Sequence, residues 1–165
     1  MTASDLDLAR DRLLGRGPAF APIWPGLDHA RDLVLTTGPR GRDLAVVRGH
    51  DALAQDLAVA FTTALGTNVF DVAHGFGGLV ALAEPSDPVL TRERVRLAVI
   101  TLLQREPRIA RIVDVRLDDG RLGAGRTDDD EARALRVSRT MEVRVQVETI
   151  AGETLEMRIG EVPRV

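Results

Sequence analysis

The 165-residue sequence contains no cysteine, which excludes a disulfide framework, a zinc–thiolate site and a thiol nucleophile. Lysine is absent as well, since all 22 basic residues are arginine. The absence of lysine excludes Walker-type phosphate lysines, Schiff-base lysines and lysine general bases. Many classes of enzyme are therefore excluded by composition alone.

Tyrosine is also absent and aromatic residues make up only 3% of the chain, so few side chains can stack on nucleic acid bases. The net charge of -3 argues against a protein that binds nucleic acid mainly by electrostatics. No apolar run approaches the ~18–20 residues that cross a bilayer. The polar, acidic N-terminus is unlike a signal peptide, so we expect a cytoplasmic protein that binds neither nucleic acid nor membranes.

The composition that is present, 44% hydrophobic and 28% charged, is typical of a soluble globular protein. The length favours one domain over residues 1–165. We expect an irregular N-terminal segment at 1–30, a helix-rich core at 31–118 and a long β-hairpin at 135–160. The predicted fold class is α+β, with two main helices packed on a small mixed or antiparallel sheet.

Two segments have helical patterns. In residues 50–66, Leu53, Leu57, Phe61 and Leu65 recur every four residues, and Gly66 fits the position just past a helix end. A second helix is predicted from Thr91, as its N-cap, to Arg105. Its stretch LAVITLL (97–103) is apolar almost all round, which predicts burial on two faces. Either both faces are internal, which is the alternative we favour, or one of them meets a second chain.

Several segments alternate as strands do. Residues 32–47 read as two short strands around the turn Gly38–Gly41, and Val113, Val115 and Leu117 alternate with polar residues. The longest alternating run, 135–148, turns back near Ala151-Gly152. At ~3.3 Å per residue this run would extend about 46 Å, beyond a domain of ~30–35 Å. The strand must therefore bend, or part of the hairpin must project and offer an unpaired edge.

The sequence contains no recognisable catalytic pattern. The three histidines, His29, His50 and His74, lie more than 20 residues apart and have no metal-ligand spacing. No serine lies in a nucleophile-elbow context, and the acidic run 126–133 lacks the pattern of a calcium-binding EF-hand loop. The sequence therefore predicts no catalytic residue, no cofactor and no metal site, and we expect a protein that is not an enzyme.

Ordered motifs between residues 15 and 118 resemble a known family. They are GRGPAF, LAVVRGHDALAQDLAVAFTTALG, HGFGGLV, REPRI and VDVRL. Together they are similar to the small baseplate wedge protein of contractile phages, phage-like injection particles and type VI secretion machines. The most specific element is the triplet Glu106-Pro107-Arg108, between a long helix and a strand. Gln55 and the pair Phe76-Gly77 support it, whereas the segment GTNVFDVAH lacks an arginine and a proline expected of the family.

The resemblance implies a structural role where the baseplate meets the tail sheath. The partners would be a helical bundle of other wedge proteins and the sheath subunits, with several copies, by family symmetry six, in a ring assembled in the cytoplasm. The family also carries a lysozyme-like label, but this sequence contains no recognisable acid/base pair that would support such an activity. An alternative from the same fold group is a regulatory anti-adaptor that shields a sigma factor. The motifs do not choose between a phage tail, an injection particle and a secretion system.

Six residues are the predicted partner-binding sites. Glu106, Pro107 and Arg108 would dock on the wedge bundle through the Arg108 guanidinium, so that Arg108→Ala would block assembly without altering stability. An internal pair of Glu106 with Arg105 or Arg108 is the alternative. In the late hairpin, the predicted contacts with arms of the sheath subunits, by strand addition, are at Val143, Val145 and Val147.

Overall fold

The computed structural model describes residues 3–23, 31–39, 41–84, 87–120 and 140–163. Helices and antiparallel strands are both present, which confirms the α+β class. The chain divides into two compact units, Met1–Leu57 and Ala58–Val165. Trp24, the acidic run 126–133 and residues 135–139 of the predicted long strand lie outside the described residues. Among the described helices, none is long and apolar enough to span a membrane.

The first unit contains helix α1 (Ala3–Leu14) and most of helix α2 (Gly49–Thr62). α1 stops at Gly15, which adopts φ +89° and donates its N–H to the carbonyl of Asp11 over 3.0 Å. α2 starts at Gly49, whose φ is +58° and whose missing Cβ would lie 2.8 Å from Oδ1 of Asp11. The positive φ and this close approach both favour glycine, and α2 begins within one residue of the segment 50–66 in which the helical repeat was found.

Between these helices the described residues form six short strands. They pair as three antiparallel two-stranded ribbons: β1 (Arg16–Pro18) with β6 (Val46–Arg48), β2 (Phe20–Pro22) with β3 (Arg31–Leu33), and β4 (Leu35–Gly38) with β5 (Gly41–Leu44). β4 and β5 flank the turn Gly38–Gly41, as the sequence predicts. Every residue of β4 and β5 is exposed.

The three ribbons meet at a ring of three backbone hydrogen bonds, which we call the three-ribbon junction. Ala19 donates to Ala45 (2.8 Å), Ala45 to Val34 (2.8 Å) and Val34 to Ala19 (2.9 Å). The buried Gln55 of α2 completes it, since its amide donates to the Pro18 carbonyl and accepts from the Phe20 N–H, both over 2.8 Å. The backbone groups where the strands separate are thus satisfied without a continuous sheet.

The second unit contains helices α3 (Leu79–Ala83) and α4 (Pro88–Gln104), which pack together. α4 starts earlier than predicted, because Asp87 and not Thr91 is its N-cap. The Asp87 carboxylate accepts from the N–H groups of Val89 and Leu90, and Pro88 occupies the first turn, where its missing N–H is harmless.

Burial of both faces of α4 within the fold, the alternative favoured from the sequence, is wrong, whereas a contact of one face with a second chain stays a prediction. Val95, Val99 and Leu103 are buried along one face, but Leu97 is 63% exposed. Thr101 is exposed as well and donates its hydroxyl to the Leu97 carbonyl over 2.8 Å. The helix therefore has one buried face, and an apolar residue remains on the opposite side.

A three-stranded antiparallel sheet follows, formed by β7 (Ile109–Asp118), β8 (Thr140–Thr149) and β9 (Thr154–Pro163) in the order β7-β8-β9. α4 packs against β7. β7 pairs with β8 through irregular registers between Ile109 and Arg111 and between Ile112 and Asp114. The second bulge leaves Val113 41% exposed, so its predicted place beside the buried Val115 and Leu117 is wrong.

Candidate protein-interaction sites

The corner Glu106-Pro107-Arg108 connects α4 to β7. Glu106 donates its N–H to the Leu103 carbonyl over 3.2 Å, a hydrogen bond that points back into the last turn of α4. Pro107 has no N–H to donate and disfavours helical backbone at the residue before it. Ile109 then donates to the Glu106 carbonyl over 3.1 Å and begins β7. The predicted helix stop at this corner is confirmed.

Within the corner, the Arg108 guanidinium grips the Glu106 carboxylate in a bidentate pair. Nε lies 2.6 Å from Oε1 and Nη2 lies 2.8 Å from Oε2, while the Arg108 backbone N–H adds a bond of 3.1 Å. Burial raises the pKa of Glu106, but the hydrogen bonds and charge of Arg108 outweigh it and hold that pKa below its usual value. The structure thus contains the internal pair that was the alternative to a partner contact.

This pair changes the expectation for Arg108→Ala. Both side chains are largely shielded from solvent, with exposed fractions of 20% and 16%. Removing Arg108 would leave a shielded carboxylate without these hydrogen bonds, so the variant should lose stability rather than keep it. Loss of assembly by Arg108→Ala alone would therefore not identify a docking residue.

The corner is also tied to two other segments of the second unit. Ile150, in the turn between β8 and β9, donates its N–H to the Arg108 carbonyl over 3.0 Å. Arg105 donates to the carbonyl of Ala73, in the loop before α3, over 3.1 Å. Pro107 is exposed between these anchors. The corner is consequently a braced turn that presents an apolar ring, and not a flexible arm.

The predicted strand-addition residues Val143, Val145 and Val147 need correction. All three lie on β8, which has β7 on one side and β9 on the other, so both of its edges are already paired. Their side chains are also fully buried. They belong to the core, and a partner strand has access only to an edge of the sheet.

The outer edge of β9, residues 154–158, is the more regular of the two edges. The Thr149 N–H donates to the Glu153 carbonyl over 2.9 Å, and the same register pairs Val147 with Leu155 and Val145 with Met157. Because bonded directions alternate along an antiparallel strand, Thr154, Glu156 and Arg158 direct their N–H and C=O groups away from β8. No described strand pairs with this edge, whereas bulges interrupt β7.

The polar face of the sheet carries arginines aligned across all three strands. Arg116 lies opposite Arg144, and Arg144 lies opposite Arg158. Arg116 bonds Asp114 over 2.6 Å, and that hydrogen bond lowers the Asp114 pKa. A shallow recess here is lined by Asp114, Arg116, Arg144, Val145, Gln146 and Glu156. Opposite charges thus neutralise the face locally, which suits a protein contact better than an anion site.

The alternation of residues 135–148 places Glu142 on the polar face of its strand, yet only 2% of its surface is exposed. Arg158 covers it through Nε at 2.5 Å and Nη2 at 2.6 Å, and Arg144 bonds the same carboxylate. Hydrogen bonds from Arg158, assisted by Arg144, lower the pKa of Glu142 to about 2. Alternation places the residue correctly but does not reveal that long neighbouring side chains enclose it.

One exposed apolar surface has no counterpart among the predicted sites. It is the turn 68–72, Asn68-Val69-Phe70-Asp71-Val72, between α2 and α3. Its sequence signal is a pair of turn-forming residues, Asn68 and Asp71, around large apolar residues that follow neither helical nor strand spacing.

Among the described residues, no cluster of three or more His, Asp or Glu side chains could hold a metal ion.

No protein-family model matches the chain, and no curated protein matches it either.

Proposed function

We propose that the chain is a structural component of a contractile tail or injection system, which joins the baseplate wedge to the first ring of sheath subunits. The ordered motifs around the corner Glu106-Pro107-Arg108 support the family. The observation that supports the sheath contact is the outer edge of β9, which directs backbone donors and acceptors away from β8 at Thr154 and Glu156.

Strand addition at this edge needs no rearrangement of the sheet. An arm of a sheath subunit would lie beside β9 and form backbone hydrogen bonds with these groups, which extends the sheet from three strands to four. The valines of β8 would then stabilise the sheet from inside. The wedge contact would form at the exposed face of the braced corner, at Pro107, while the Glu106–Arg108 pair keeps that corner in shape.

A tagged chain expressed in its own host tests the assignment. We expect it to co-purify with ring- or tail-like particles that negative-stain electron microscopy can identify, together with sheath subunits identified by mass spectrometry. A chain recovered only as a monomer would contradict the proposal. A soluble one-to-one complex with a recognition protein would instead support the anti-adaptor alternative.

The sheath contact has a sharper test at position 156. Glu156→Pro removes one outward N–H without removing a bond to β8, and proline is tolerated on edge strands. Glu156→Ala removes the same side chain but keeps the N–H, and is the matched control. We expect sheath growth on baseplates that carry the alanine variant and little growth with the proline variant, at similar melting temperatures. Equal sheath growth with both variants would refute strand addition at β9.

A further inference from the structure

The turn 68–72 exposes three large apolar side chains in close succession. Phe70 is 97% exposed, Val69 83% and Val72 69%. Single exposed apolar residues are ordinary on protein surfaces, but a cluster that includes an almost fully exposed aromatic ring is not. Such a cluster exposes apolar surface to water unless something covers it.

The backbone of this turn is held in one shape. Asn68 accepts from the Phe70 N–H and Asp71 accepts from the Ala73 N–H, each through a side-chain oxygen at 3.0 Å. Backbone bonds from Asp71 to Asn68 (3.2 Å) and from His74 to Asp71 (3.1 Å) close two overlapping turns. A partner therefore loses little conformational entropy in ordering the loop, which favours binding.

Bonds to the rest of the second unit fix the position of the turn. On one side, two backbone hydrogen bonds join the segment that precedes the turn to the segment that follows it. The Leu65 N–H donates to the Phe76 carbonyl over 3.2 Å, and the Phe76 N–H donates to the Thr63 carbonyl over 2.8 Å. On the other side Arg105, at the end of α4, bonds the Ala73 carbonyl over 3.1 Å. The phenyl ring of Phe70 is thus presented on a braced, convex support.

The shape and charge of the turn indicate the kind of partner. A convex aromatic residue is best buried in a concave apolar pocket, where Phe contributes a large contact area. The turn's one charged side chain is the exposed Asp71, whose negative charge an anionic membrane surface would repel. A basic residue at the pocket rim would complement Asp71.

A second copy of the chain fits less well. Two-fold symmetry at this surface would place one convex turn against another, which buries little area. A different protein, with a concave pocket for Phe70, avoids this poor fit between two identical turns.

We propose that the turn 68–72 is a docking knob that inserts Phe70 into an apolar pocket, with a basic rim, on a different protein. The proposal does not depend on the baseplate assignment. Phe70 would be the central contact and Asp71 the electrostatic one. Because the ring is exposed, its removal should affect binding and leave folding unchanged.

The partner can be identified with a photo-crosslinking residue, p-benzoylphenylalanine, placed at position 70 of the full chain in its own host. The partner identified in this way is then produced recombinantly, and its binding to the wild type, Phe70→Ala and Phe70→Leu is measured by titration. We expect Phe70→Ala to weaken binding by about thirtyfold or more, as hot-spot residues do, and Phe70→Leu to be intermediate. Leu97→Ser, which removes another exposed apolar side chain, is the matched control and should bind like the wild type.

Several outcomes would overturn the proposal. One is equal binding by the wild type and Phe70→Ala at unchanged melting temperature, and another is the absence of any specific cross-link from position 70. Concentration-dependent sedimentation that Phe70→Ala abolishes would instead show a second copy as the occupant. Phe70-dependent flotation with vesicles of phosphatidylcholine and 30% phosphatidylserine would show a membrane surface, and not a protein.

Discussion

At the scale of single residues, arginine performs every cationic role in the described structure because lysine is absent. The planar guanidinium can bond both oxygens of a carboxylate at once, as Arg108 does with Glu106 and Arg158 with Glu142. A lysine at either position would make a single-point contact. The arginine content, whatever its origin, therefore has structural consequences at shielded carboxylates.

The Glu106–Arg108 pair should be worth more than an exposed pair of similar geometry. A double-mutant cycle with Glu106→Gln and Arg108→Ala, read by urea unfolding, should give a coupling free energy of about 1–3 kcal/mol, since both side chains are shielded. The control is the exposed pair Arg111–Glu148, joined over 2.8 Å, where we expect at most about 0.5 kcal/mol. Equal coupling in the two cycles would show that the corner pair is not special.

At the scale of secondary-structure elements, the start of α4 depends on its cap. Asp87→Ala removes the acceptor for two helix N–H groups and should lower the free energy of unfolding by about 1 kcal/mol. Asp87→Asn retains a side-chain oxygen and should change it by only a few tenths. Urea denaturation of the two variants measures the difference. A neutral Asp87→Ala would mean that the cap contributes nothing to α4.

The bulges of β7 determine which valine is in the core. Val115→Thr places a hydroxyl in a buried site and should destabilise the protein by about 1–3 kcal/mol. Val113→Thr makes the same chemical change at an exposed position and should stay within about 0.5 kcal/mol. Thermal and urea unfolding of both variants provide the comparison. A larger loss at Val113 would place the bulge elsewhere in β7.

Sequence patterns identify elements better than they identify what interrupts them. The helical repeat of α2 up to Phe61, the helix stop before Pro107 and the strands around Gly38–Gly41 are local features, so local chemistry predicts them. The predicted helix end before Gly66 is wrong, because α2 ends at Thr62 and Leu65 is 44% exposed. A bulge adds one residue to a strand and leaves no mark in the alternation, which is why Val113 is misassigned. Likewise, Val143, Val145 and Val147 read as strand residues, but only the tertiary pairing shows that β8 is central.

At the scale of the whole molecule, the ionisable groups of the two units are not equivalent. The described carboxyl groups with lowered pKa values, Glu106, Asp114 and Glu142, all lie in the unit Ala58–Val165. A carboxyl group whose pKa is lower in the folded state than in the unfolded state contributes its full stabilisation when the pH is above the pKa of the unfolded state. That contribution is lost as the pH falls through the folded value.

Acid should therefore weaken the second unit in particular. Between pH 5 and pH 2, we expect amide exchange of β7–β9 to lose protection faster than that of α1, after correction for intrinsic rates. Glu142 should dominate, because its pKa falls from 4.5 to about 2. Glu142→Gln should lower the stability at pH 7 by about 1.5 kcal/mol and flatten the acid dependence, whereas the exposed Glu156→Gln should do neither. An unchanged acid profile in Glu142→Gln would contradict this assignment.

The three-ribbon junction makes the ribbons modular. Its ring satisfies Ala19, Val34 and Ala45 with one another, so no hydrogen bond of the ring depends on how far any ribbon extends. An insertion between β4 and β5, whose residues are all exposed, lengthens one ribbon and leaves the other two in register. Proline at any of the three ring positions, by contrast, would remove a donor and open the ring. The ribbons of this unit can thus change in length during evolution or engineering while the three-ribbon junction stays the same.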